Sequence, residues 1–469
     1  MKNSQFIQLL QRLSAKEVSE FSLYLKAQRA RSLLLRQTFD YLRKLYPDFS
    51  SSKHLDIQYA ISKLLPPDAP RKRMLNILAE LHHLLKNFLV WQKVQNQQFV
   101  YDFALLEQYR ERQMDKAFFQ FSDQLIKKYE GRKQDSIWSY LQLMMLYRSK
   151  FFHPNSPKLN PDDPLPQKSL ALLNQFYQGA RIRLATELLN REKILSSPST
   201  SYSEKRPEID LPPDSSPLIQ LYLQVYQLEK EQNETVFFDL KKRFFDLVPN
   251  QELSLDDQYF IFLHLINFAS TQIKLGKQNF LQEAFSIYQL GLQYPILEQG
   301  QYFTPTNFSN IVNLACRLQQ FDWARYFIQS YQRHLPVEVR ESAARISFAM
   351  IHFEEGDFEQ TLKALQDITY ADAFYDLRAR ALRLRCFVEL EESTPLILHY
   401  CRSFEQFIRR NKKIKGNNAE ATANFIHLIR ELARQKSSRI QLEIMLATKQ
   451  PLFFKSWLSE KIQHYKRIA

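Results

Sequence analysis

Residues 305–336, PTNFSNIVNLACRLQQFDWARYFIQSYQRHLP, decide how the chain is read. Ile311, Ala315, Phe321, Ala324 and Ile328 sit at the spacing of a helix-turn-helix unit that Pro336 ends. Ala324 is small, which lets the second helix approach the first closely. The pattern returns 37 residues later in Phe348, His352, Gly356, Phe358, Thr361 and Leu365. Ala284, Tyr288 and Pro295 mark an earlier, longer copy, and Met114, Ala117, Phe121 and Tyr129 a fainter one in the N-terminal half.

Composition points the same way. The 469 residues hold only seven glycines, where average usage of about 7% would give roughly 33. Glycine supplies the left-handed corners of hairpins and the close backbone approach of phosphate-binding loops, so this chain has little room for either. Helices remain, and they recur from the first residues on. Phe6, Leu9, Leu10 and Leu13 form one apolar stripe; Ser14 and Glu17 form a capping box that starts a second helix carrying Val18, Phe21 and Leu25 inward. Leu35, Phe39, Leu42 and Tyr46 give a third, ended by Pro47. From Pro70 to about Val94 runs a helix apolar on most of its circumference, as expected of one buried among others. Helical patterning continues to about Leu195. Ser196–Pro217 then holds seven serines and five prolines, too polar to offset the entropy of ordering, and is assigned as the main linker, the alternative being a long loop inside one continuous array.

The repeat residues resemble the tetratricopeptide repeat, in which small, aromatic and proline positions recur every 34 residues. Gln319 stands where the turn glycine is usual, Thr361 replaces the small alanine, and the periods here are longer. The resemblance implies a helical solenoid whose first helices line a concave, ligand-facing surface. On the best copy those positions are Thr306, Ser309, Asn310, Asn313 and Arg317, which could hydrogen-bond a peptide. The next copy offers Ala343, Ile346, Ser347 and Met350, without the Lys and Arg of a carboxylate clamp, so the implied occupant is an extended segment or a helix. Both ends also resemble a group of long, uncharacterised bacterial helical proteins, on Leu13-Ser14, Glu17, Phe21, Tyr24-Leu25, Trp457-Leu458 and Lys461-Ile462. That resemblance implies helix throughout and no mechanism.

The net charge of +14 is unevenly placed: residues 1–200 carry +13, 201–400 carry −9 and 401–469 carry +10. Basic ends can meet an acidic partner or nucleic acid, or fold back on the acidic middle. Two clusters stand out as candidate phosphate contacts. Arg71, Lys72 and Arg73 open a helix where cations oppose the macrodipole, and Arg409, Arg410, Lys412, Lys413 and Lys415 crowd the stretch before Gly416. Arg378, Arg380, Arg383 and Arg385 split over opposite helix faces and read as partners of Glu354, Glu355, Asp357 and Glu359.

Reaction chemistry has no comparable signal. No two glycines fall in G-x-G or G-x-x-x-x-G-K spacing, G-x-S-x-G is absent, and Glu80-x-x-His83 has no second copy to complete a di-iron site. Cys316, Cys386 and Cys401 form no C-x-x-C pair, which fits a reducing compartment. No apolar leader follows Met1 and no stretch is long enough to span a bilayer, so a cytoplasmic location without membrane insertion is expected.

The sequence therefore predicts an all-α protein. A basic N-terminal helical unit (1–195) and the linker (196–217) precede an acidic tetratricopeptide-like solenoid (218–410) and a basic C-terminal helical cap (411–469). The expected function is non-catalytic protein–protein interaction as a scaffold, without cofactor or metal. Nucleic-acid binding through the basic ends is the alternative.

Overall fold

The computed structural model describes the chain except residues 2–3, 28–32, 48, 50–52, 67, 133–134, 157–161, 196–208, 210–214, 300–301, 367–369, 371–372 and 465–469. The bulk of the expected linker thus lies outside the described residues. Those described are helical almost throughout; the extended pairing among them is a two-residue antiparallel ladder, β1 (Glu298–Gln299) with β2 (Tyr302–Phe303). The chain forms two compact units, one of residues 1–132 and 139–173, the other of 133–138 and 174–469.

In the first unit, α1 (Gln5–Leu10), α2 (Ala15–Ala27), α3 (Leu33–Arg43) and α4 (Ile57–Leu64) all pack on the long α5 (Arg71–Asn96). The expected capping box starts α2: the Ser14 N–H donates to the Glu17 carboxylate at 2.7 Å and the Glu17 N–H to the Ser14 hydroxyl at 3.2 Å. Phe21 and Leu25 of α2 join Met74, Leu81, Leu85 and Phe88 of α5 in one core. The buried residues of α5, Met74, Ile77, Leu78, Leu81, Leu84, Leu85 and Phe88, form a single stripe, while Leu75, Ala79, Val90 and Trp91 are exposed, so α5 is buried along one face rather than all round. A second core gathers Leu106 of α6 (Gln98–Glu111), Phe118 and Tyr129 of α7 (Asp115–Glu130) and Leu146 of α8 (Ile137–Phe151). The 31-residue α9 (Leu165–Leu195) follows, and the division between the units falls inside it.

The second unit continues with α10 (Pro217–Glu231), α11 (Glu234–Leu247), α12 (Leu255–Lys274), α13 (Asn279–Gln293), α14 (Pro305–Arg317) and α15 (Phe321–Tyr331). Then come α16 (Val337–Glu354), α17 (Phe358–Ala364), α18 (Ala373–Glu389) and α19 (Thr394–Arg410). α20 (Asn417–Arg434), α21 (Arg439–Thr448) and α22 (Lys455–Gln463) complete it. Each helix packs on the next, and α14, α16 and α18 also pack side by side. Ala324, the small residue of the sequence pattern, is fully buried. Thr361, at the equivalent place, is buried too, with its hydroxyl donating to the Asp357 carbonyl at 2.8 Å and the Ala349 carbonyl at 3.3 Å.

One turn recurs. After α14 the Gln319 N–H donates to the Cys316 carbonyl and the Gln320 N–H reaches back to Ala315 at 2.8 Å, with Gln319 left-handed at φ 57°. The same double closure follows α6, α11, α12, α16 and α18, at Gln113, Gln251, Gly276, Gly356 and Glu391. This is the Schellman geometry that ordinarily takes glycine. Here side-chain-bearing residues fill four of the six corners, which is how so many helix ends coexist with so few glycines. A left-handed residue with a Cβ costs roughly 1–2 kcal/mol, less the roughly 0.5–1 kcal/mol of backbone entropy that glycine would lose. Gln319→Gly is accordingly expected to stabilise the protein by about 0.5–1 kcal/mol in denaturant titration. A loss of stability would show that the Gln319 side chain is needed at the turn.

Candidate functional site

The side-by-side packing of α14, α16 and α18 turns one face of each toward a cleft of about 560 Å³, closed at its edges by α12, α13, the start of α20 and Phe453-Phe454. Four of the five ligand-facing positions read from the sequence, Ser309, Asn310, Asn313 and Arg317, line it; Thr306 is exposed and does not. They form a ladder along α14 because residues three and four apart share a helical face, while Phe308, Ile311, Val312 and Ala315 turn the other way into the core. Ile346, Ser347 and Met350 present the matching face of α16, and Ala343 is buried outside the lining. The ladder is only lightly engaged. Asn310 Nδ2 lies 3.4 Å from the Tyr288 hydroxyl, Asn313 Nδ2 3.8 Å from Met350 Sδ, and Arg317 donates to Gln278 at 3.4 Å.

Arg378 and Arg385 of α18, two helical turns apart, complete the wall. Arg378 is exposed and makes no ion pair among the described residues. Arg385 is only 8% exposed. Its guanidinium carbon lies 4.0 Å from the centre of the Phe353 ring, 4.7 Å from Phe454 and 5.1 Å from Trp457, an aromatic surround that stabilises a desolvated cation. Its nearest carboxylate oxygen, on Glu354, is 3.6 Å away, and its Nε has no hydrogen-bond partner. Burial pulls the pKa of Arg385 below the usual guanidinium range, against Glu354, which raises it; Arg317 is lowered in the same way.

The expectation that the four α18 arginines pair with nearby carboxylates holds in part. Arg385 reaches Glu354, but Arg380 pairs with Asp376 at 2.8 Å and Arg383 donates to the Leu365 carbonyl at 2.7 Å. Glu355 is taken by Arg325. Missed by the sequence reading were Arg378 and Arg385 as cleft residues, along with Lys274, Asn418, Thr422 and Phe454. The shared face of Arg378 and Arg385 was a usable signal; the residues from α12, α20 and the 453–454 stretch lie far away in sequence and gave none.

No protein-family profile, curated protein or solved structure matches the chain.

The basic clusters lie elsewhere. Arg71, Lys72 and Arg73 are exposed in the first turn of α5, which has Pro70 as its cap and no acidic residue to offset them. Arg409 and Arg410 end α19, where cations favour the macrodipole. Lys412, Lys413 and Lys415 are exposed around Ile414, which is buried in the C-terminal core. None of the eight forms an ion pair among the described residues. Arg430, Arg434 and Arg439 are paired, with Glu405, Glu431 and Glu443. Burial pushes the thiols of Cys316, Cys386 and Cys401 up to about 12, so at neutral pH all three are packed, protonated side chains. His83 Nε2 lies 3.1 Å from Asn87 Nδ2, and no group of three or more His, Cys, Asp or Glu among the described residues is placed to hold a metal ion.

Replacing a poorly paired buried ion by an apolar side chain of similar volume is commonly neutral or stabilising, by about 1–4 kcal/mol. Arg385→Met is therefore expected to match or exceed the wild type in thermal and denaturant unfolding. A loss above about 3 kcal/mol would show that the cation holds the fold.

Proposed function

We propose that this chain is a non-catalytic protein-interaction scaffold that binds a segment of a partner protein in the cleft between α14, α16 and α18. The observation that carries this reading is the α14 ladder: Ser309, Asn310, Asn313 and Arg317 reach one open cleft with most of their hydrogen-bonding capacity unspent. Amides and hydroxyls spaced along a helix suit a peptide backbone, which both donates and accepts. On this reading the second unit acts as a tetratricopeptide-like solenoid with α20–α22 as its cap, in the cytoplasm. Among the described residues no helix is long and apolar enough to cross a membrane, which agrees with a partner met away from the bilayer.

A second reading, nucleic-acid binding, draws on the exposed cations at 71–73 and 409–415, which lack carboxylate partners among the described residues. Such a site would weaken steeply with salt.

Site-specific photocrosslinking in the native host separates the two. With benzoylphenylalanine in place of Asn313, a discrete protein adduct is expected that survives nuclease and disappears when Ser347→Trp fills the cleft. The same probe at exposed Tyr326 is expected to give no such adduct. Adducts that are lost on nuclease treatment, or that form equally from both positions, would overturn the scaffold reading. Charge reversal of Arg409, Arg410, Lys412 and Lys413 to Glu is expected to leave the Asn313 adduct unchanged.

A further inference from the structure

The cleft differs in charge from the region that builds it. Residues 201–400 carry a net −9, yet the cleft is lined by four cations, Lys274, Arg317, Arg378 and Arg385, and by no aspartate or glutamate. Several acidic side chains on the helices that build it are engaged outside the lining. Glu355 is on Arg325, Asp376 on Arg380, and Glu389 accepts from the Trp457 indole at 2.6 Å and from Lys461. Glu354 comes nearest; it touches Arg385 at 3.6 Å and is not itself part of the lining. Lys274, Arg317 and Arg378 have no ion-pair partner among the described residues.

Arg385 gives this charge a fixed position. Its aromatic surround holds the guanidinium in place without neutralising it, and its Nε carries a hydrogen that nothing accepts. A buried, incompletely paired cation in low dielectric projects a stronger field than the same charge in water. Between the cations the surface is apolar, with Ile346, Met350, Leu377 and Phe454.

From this juxtaposition we propose that the segment taken by the cleft is acidic: an extended stretch of polypeptide with internal Asp or Glu side chains on either side of a bulky apolar one. The proposal rests on the scaffold reading above and names the chemistry of its partner. Carboxylates meet Arg317, Arg378 and Lys274 at the open side, under the field of Arg385. The apolar side chain sits against Met350, Leu377 and Phe454. Asn313 and Asn418, each with a donor and an acceptor, match a peptide backbone better than a phosphodiester, which only accepts. Charge complementarity of this kind selects partners and speeds encounter more than it adds raw affinity.

The test is selection of random 16-residue displayed peptides on the full chain, with Arg317→Glu, Arg378→Glu, Arg385→Met and Ser347→Trp as comparison proteins. Arg317 and Arg378 are exposed, so their reversal leaves the core untouched. The expected pool is rich in Asp and Glu around a large apolar residue and depleted in Lys and Arg. A synthetic peptide from it is expected to bind at least ten-fold more weakly to each arginine variant, and equally so when its acids are replaced by their amides. A pool that depends on the cleft but shows no acidic enrichment overturns this proposal and leaves the scaffold reading standing. A pool that binds Ser347→Trp as well as wild type overturns both. So does a dT20 oligonucleotide whose binding, and not that of any peptide, is lost in Arg378→Glu; that result would make the cleft a nucleic-acid site.

Discussion

The Arg385 guanidinium joins parts of the chain that are distant in sequence. It lies over Phe353 at the end of α16, and Phe454 and Trp457 close on it from the C-terminal stretch. Four residues further along α18, Glu389 accepts from Trp457 and Lys461 of α22. These contacts fasten the C-terminal helices to the helix row and place Phe453 and Phe454 at the edge of the cleft. A methionine there would keep much of the apolar contact and discard the charge. What the arginine adds is a positive centre in the wall, paired only at 3.6 Å with Glu354 and with its Nε hydrogen unaccepted.

The row itself depends on turns that bring successive helices back against one another. Six helix ends close with the same pair of backbone hydrogen bonds around a left-handed residue, and only Gly276 and Gly356 among those residues are glycines. The strain at Gln113, Gln251, Gln319 and Glu391 is small beside the burial that each pair secures. Between α14 and α15 alone, Phe308, Ile311, Ala315, Ala324, Phe327 and Ile328 are fully buried, and each large apolar side chain so removed from water contributes roughly 1.5–3 kcal/mol.

Helical periodicity and the glycine deficit made the all-α character legible in the sequence, because both follow from local physics. The capping box at Ser14 and Glu17 was readable for the same reason. The cleft was half legible. That Ser309, Asn310, Asn313 and Arg317 share a face follows from spacing within one helix, as does the shared face of Arg378 and Arg385; that the α14 face is the ligand-facing one was implied by the tetratricopeptide resemblance. Which side of α18 faces the cleft does not, since it is set by packing against α16 and the C-terminal stretch. That is why Arg385 was read as an ordinary partner of carboxylates, and why Asn418, Thr422 and Phe454 escaped notice. Gln319 was legible as a turn position where glycine is usual, but the left-handed corners at Gln113, Gln251 and Glu391 gave no signal, because the expectation of glycine there is a preference that helix packing overrode. The short β1–β2 ladder also gave no warning, being two residues on each side.

Hydrogen–deuterium exchange on the full chain, with and without the host protein crosslinked at position 313, tests the central claim most directly. The account predicts slowed exchange in α14, α16, α18 and the first turns of α20, with residues 71–73 and 409–415 unchanged. Protection confined to those two basic stretches, with the cleft helices exchanging as in the free protein, would contradict it.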